Sequence, residues 1–108
     1  MTTFDERKNA FEKKFAMDQD LKFRAESRRN KMVAEWAAAK LGISGPALED
    51  YIKAVRKADL QEKGDDDVFR KIREDFDAKG VSASDVEIRD AMFKSLEDAV
   101  AQIQKETK

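Results

Sequence analysis

The sequence predicts an all-α fold: a four-helix bundle preceded by a mobile, weakly helical N-terminal segment. Three observations carry this. Apolar residues recur at spacings of three and four, the period of a one-faced helix, along most of the chain. All four glycines and the single proline fall where that pattern breaks, at Gly42, Gly45-Pro46, Gly64 and Gly80. No stretch alternates apolar and polar residues long enough to make a strand.

The first core helix is expected over 21–41, on the series Leu21, Ala25, Met32, Val33, Trp36 and Ala37. Trp36 is expected in the core. Phe23 and Leu41 fall off the main face and are assigned to cover loops. Gly42 stands just past the helix end, where glycine is favoured. The second helix, 46–60, opens at Pro46, with Ser44 or Gly45 as its cap. Its face is Leu48, Tyr51, Ile52 and Val55. The third, 66–79, begins in Asp65-Asp66-Asp67, carboxylates at the positive end of the helix dipole. Consecutive carboxylates lack the alternating spacing of a calcium loop, so capping is the reading. Val68, Phe69, Ile72 and Phe76 make its apolar face. The last helix, 85–104, starts with capping-box spacing at Ser84 and Glu87. Ile88, Met92, Leu96, Ala99, Val100 and Ile103 run down one side of it.

The chain therefore divides into a segment 1–20 and a bundle 21–108. Thr3 and Glu6 have capping-box spacing too. Beyond Met1 and Met17, the large apolar side chains of the segment are Phe4, Phe11 and Phe15, which on a helix lie within roughly 40° of one another. Lys8 shares that stripe, and Arg7, Lys13 and Lys14 crowd its flanks. So narrow a stripe buries little area, and short isolated helices are marginal in water. Two readings stand at this point. The three phenylalanines belong to the core of the bundle, or they anchor a peptide that orders as it enters a groove on a partner.

Composition excludes more than it assigns. Charged residues make up 42% of the chain, yet 22 Lys and Arg against 23 Asp and Glu leave a formal net charge of −1. Such a balance argues against bulk nucleic-acid binding, which needs excess positive charge. With no Cys and no His, disulfide frameworks, thiolate nucleophiles, Cys/His zinc sites and imidazole acid–base chemistry are all excluded. Serine and threonine lack a histidine to activate them, and the glycines are too scattered for a phosphate-binding loop. No enzyme chemistry is indicated, and no cofactor is required. No apolar run approaches the roughly 20 residues of a membrane span, so a cytoplasmic protein without direct membrane insertion is expected.

Arg28, Arg29 and Lys31 form the densest basic cluster, one turn before Trp36. Such a cluster could clamp a phosphate or carboxylate. It could equally be a solvated face balanced by Glu26 and Glu35 at helical spacing.

Several blocks carry a resemblance. Thr2-Thr3-Phe4-Asp5, Lys14-Phe15-Ala16, Arg28-Arg29-Asn30-Lys31 and Trp36-Ala37-Ala38 running into Leu41-Gly42 resemble the ζ subunit family. These are small all-helical inhibitors of the alpha-proteobacterial F-type ATP synthase, and the likeness runs the full length. It implies a four-helix bundle whose mobile N-terminal segment inserts into a catalytic interface of the ATPase head and blocks ATP hydrolysis. By position, Phe4, Asp5, Arg7, Phe11, Lys14 and Phe15 are the implied inhibitory contacts, and Lys8 joins them from its place on the stripe. The partner implied is the catalytic head of the membrane-bound synthase. The family also implies regulatory binding of ADP or ATP on the bundle, for which Arg28, Arg29, Lys31 and Trp36 are the candidates. A stand-alone nucleotide-sensing or scaffolding bundle is the alternative.

Overall fold

The computed structural model describes residues 19–60 and 66–106. They form four helices: α1 (Gln19–Leu41), α2 (Pro46–Asp59), α3 (Asp66–Lys79) and α4 (Asp85–Glu106). The expected all-α bundle is what the chain adopts, and each boundary falls within two residues of its expected place. α1 begins at Gln19, so Gln19 and Asp20, read with the segment 1–20, are helical. Thr3, Glu6, Asp65 and the whole of 1–18 lie outside the described residues.

α1 is the spine. It packs against α4 and α2 along its length and touches α3 as well, while α3 packs between α2 and α4. One helix serving several neighbours needs a broad inward face, and α1 builds it largely from alanine. Ala25, Val33, Ala34, Ala37 and Ala38 are all buried. Small side chains let the neighbouring backbones approach closely. Arg29 and Asn30 are buried with them, so the inward face is rotated away from Met32 and Trp36, which are only half-buried. α2, α3 and α4 need narrower faces, and theirs are the expected ones. Tyr51, Ile52 and Val55; Val68, Ile72 and Phe76; and Ile88, Met92, Leu96, Ala99, Val100 and Ile103 are buried.

The turns follow local chemistry. α1 and α3 both end at a glycine with positive φ, 76° at Gly42 and 69° at Gly80. In each case the next residue bonds five back: Ile43 N–H to Ala38 O at 2.9 Å, Val81 N–H to Phe76 O at 2.8 Å. Ile43 and Val81 then pack on the core, so each turn closes with an apolar contact. α2 starts at Pro46 after Gly45, whose position as N-cap leaves Ser44 no capping role. α4 starts with the reciprocal capping box, Glu87 N–H to Ser84 Oγ at 3.1 Å and Ser84 N–H to Glu87 Oε1 at 3.5 Å.

The aspartates in the first turn of α3 form side-chain pairs. Asp66 pairs with Arg89 of α4 at 3.0 Å, and the buried Asp67 pairs with Arg70 at 3.2 Å. Arg89 in turn lies 4.1 Å from the centre of the Phe69 ring. Arg73 ties the α3–α4 turn through Asp77, Asp85 and the Ala83 carbonyl. Between α2 and α3, the Tyr51 hydroxyl donates to Asp75 at 2.9 Å. Burial first, and the Asp75 carboxylate second, hold the Tyr51 phenol well above its ordinary range.

The core falls into two clusters. The larger joins all four helices around Val33, Val55, Val68, Ile72, Phe76, Ile88 and Met92. The smaller, among the described residues, joins α1 and α4 through Ala25, Leu96, Val100 and Ile103, with Leu21 and Phe93 against it.

Candidate functional site

The implied inhibitory residues Phe4, Asp5, Arg7, Lys8, Phe11, Lys14 and Phe15 lie outside the described residues. The first described residue, Gln19, opens α1 at the end that holds the smaller core cluster. A side-chain clamp joins α1 to α4 there. The Arg28 guanidinium meets the Glu106 carboxylate with two bonds, 2.5 and 3.0 Å, and reaches Gln102 Oε1 at 3.4 Å. The clamp links the start of α1 to the end of α4 across 78 residues of sequence. Bonding to Glu106 raises the Arg28 pKa further, and the same bond holds the Glu106 carboxyl below its usual range.

The implied nucleotide residues do not converge. Arg28 is engaged by Glu106 on the α4 side. Arg29 is 1% exposed and turns inward toward α2. Its Nε donates to Asn30 Oδ1 at 2.7 Å and its Nη2 lies 3.6 Å from Asp59 Oδ1. Asn30 Nδ2 completes the triad by donating to Asp59 Oδ2 at 2.9 Å. Buried polar groups need partners of this kind, and here the three residues supply one another. Lys31 points outward and is exposed. Instead of Glu26 and Glu35, the carboxylates at helical spacing, the contacts above bring Arg28 to Glu106 of α4 and Arg29 to Asn30 and to Asp59 of α2. Asn30 and Asp59 escape a pattern reading because both look like surface residues. The available signal is that Asn30 lies seven residues before Ala37, on the same line of α1.

Trp36 stands at the rim of the core instead of inside it. One side of the indole packs on Phe76, ring centres 5.7 Å apart and tilted by 50°. Lys40 Nζ lies 5.4 Å from its centre. The indole forms one wall of a groove of about 310 Å³ between α1 and α4, completed by Lys40, Glu87, Asp90, Lys94 and Asp98 among others. Lys94 pairs with Asp90 at 3.2 Å, so the groove is of mixed charge with a carboxylate surplus. Among the described residues no group of three or more acidic side chains is placed to hold a metal ion. No described helix is long and apolar enough to cross a membrane.

A search of curated proteins finds no match to the chain. Against protein families, residues 1–102 match the model of the ATPase inhibitor subunit zeta.

Proposed function

Because the chain belongs to the ATPase inhibitor subunit zeta family, a family of inhibitors by its description, we propose that it blocks ATP hydrolysis by inserting the segment 1–20 into a catalytic interface of an F-type ATP synthase. Phe4, Phe11 and Phe15 are the anchors in this reading, at i, i+7 and i+11 of an amphipathic helix entering a groove. Asp5, Arg7, Lys8 and Lys14 set its register by charge. The observation that carries the reading is the extent of the family match, which includes this segment as well as the bundle.

The test is ATP hydrolysis by the cognate synthase, titrated with the full-length chain and with Phe4, Phe11 and Phe15 all changed to Ser. Loss of inhibition by about a hundredfold or more is expected, since truncating interface anchors commonly costs 2 kcal/mol or more each. Undiminished inhibition by the triple variant would contradict the proposal. Charge reversal at Arg7, Lys8 and Lys14 should instead act mainly on the association rate and its salt dependence.

Nucleotide sensing is a second reading, favoured by the Trp36 groove. There an indole face and the Lys40 ammonium are available to a purine ring and a phosphate. Trp36 is the single tryptophan of the chain, so its fluorescence reports directly. ADP or ATP should quench it saturably and Lys40→Glu should abolish the effect. Unchanged emission at millimolar nucleotide contradicts this reading.

A further inference from the structure

Phe23 differs from the other phenylalanines that the structure describes. Phe76 is buried, Phe69 and Phe93 pack against the two core clusters, and Phe23 stands 70% exposed. Its place in the fold accounts for this. Asn30 faces α2 through its bond to Asp59. Phe23, seven residues earlier, lies within roughly 20° of the same line on α1, about 10 Å nearer the helix start. α2 runs in the opposite direction and ends at Asp59, so the first turns of α1 outrun it. Leu60, next after α2, is 81% exposed at the same overhang. Lys22, Arg24 and Lys31 near the apolar centre are exposed, as is Asp20, one turn before Phe23, while Glu26, one turn after it, is half-buried. Arg24 lies 3.9 Å from Asp20, a surface pairing that holds a charge only weakly, and its charge also acts on Glu106.

From this we infer that the Phe23–Leu60 overhang is a second contact surface for the enzyme head, meeting an acidic area of it with an apolar slot for the phenyl ring. The inference rests on the inhibitory reading above. Proximity favours this occupant first. The chain carrying the inhibitory residues joins α1 at Gln19, one turn before Phe23, and the eight residues from Phe15 to Phe23 span at most about 28 Å fully extended. A partner that holds Phe15 stands beside the overhang. Charge favours it second, since Lys22, Arg24 and Lys31 outnumber Asp20 and Glu26 there, and a cationic excess complements carboxylates around an apolar slot. Economy of burial favours it third. An exposed phenyl ring adds nothing to the bundle, whereas seated in a partner it is a large apolar anchor.

The experiment titrates ATP hydrolysis by the synthase with the full-length chain carrying Phe23→Ser and Leu60→Ser. Both side chains are exposed, so the urea midpoint should stay that of the parent, which separates a contact effect from a folding one. Half-inhibition is expected to need roughly tenfold more of the double variant, through faster dissociation. Lys22→Glu with Lys31→Glu should lower the association rate, most at low salt. Parental potency of the double variant, where the Phe4/Phe11/Phe15 serine variant has lost inhibition, overturns the inference and leaves the inhibitory reading intact. Retained inhibition by that triple variant removes both. A concentration-dependent dimer of the parent that Phe23→Ser dissolves, with potency unchanged, also overturns the inference and assigns the overhang to contact between two copies.

Discussion

At one end of the bundle four helices converge on Val33, Val55, Val68, Ile72, Phe76 and Ile88; at the other, among the described residues, α1 and α4 continue alone around Ala25, Leu96, Val100 and Ile103. The first end also carries the Tyr51–Asp75 bond, the Arg73 network and the Arg89–Asp66 pair. At the second, the Arg28 clamp on Glu106 joins α1 to α4, with Arg28 partly and Glu106 largely exposed. Yet the implied inhibitory segment joins the chain at the second end. The difference teaches where stability and contact are separated in a small domain. The four-helix end fixes the fold, and the proposed contact with a partner is made from the other.

Phe76→Ala breaks the better-packed end. It should cost about 3–5 kcal/mol in denaturant unfolding, which is comparable to the whole stability of a domain this small. Next comes Asp59→Ala, which strips the buried Arg29 and Asn30 of their shared partner. A loss of about 2 kcal/mol is expected, less than for a fully buried pair because Asp59 is partly open to water. A matched pair sharpens the contrast: Ile72→Val and Ile103→Val delete the same methylene from the two clusters. The first should cost about 1 kcal/mol and the second about half as much, because a two-helix cluster can close over the gap. Equal losses would erase the distinction between the ends.

The smallest effect belongs to the clamp. Glu106→Gln should leave the unfolding midpoint nearly unchanged and speed amide exchange in the first turns of α1. Its pH dependence has a definite sign. The folded-state pKa of Glu106 lies below the unfolded value because Arg28 bonds the carboxylate. The clamp's contribution is therefore fully present above the ordinary glutamate range and is lost as pH falls through the lowered folded value. Exchange in residues 19–28 should accelerate there, and Glu106→Gln should remove that acid response.

The helices were legible because each stops at its own chemistry. Gly42 and Gly80 end α1 and α3, Pro46 opens α2 and Ser84 caps α4, all local signals. The apolar faces of α2, α3 and α4 were legible for a related reason: each meets its neighbours along one stripe, so a large apolar residue at period three and four is a core residue. α1 was harder because it meets several neighbours. Its inward face is wide and made of alanine, which propensity does not distinguish from surface, and it takes in Arg29 and Asn30. Their burial depends on Asp59, 29 residues from Asn30, a pairing that no local pattern encodes. Arg28 reads as a phosphate clamp or a solvated cation until Glu106 is brought beside it. Trp36, expected inside, sits at the rim for the same reason: the inward face of α1 turns toward Ala34 and Ala38. Leu41, assigned to a loop, packs on the core, while Phe23, assigned likewise, stands in the open. The residues proposed to inhibit were read from spacing and family likeness alone.

In the proposed mode of inhibition, contact with the enzyme runs through the N-terminal segment and the first turns of α1. Hydrogen exchange on the full chain, free and bound to the synthase, tests it most directly. New protection is predicted in residues 1–18 and the first turns of α1, through about Arg28, with α2 and α3 unchanged. Protection gained across α2 and α3, with none in residues 1–28, would contradict it.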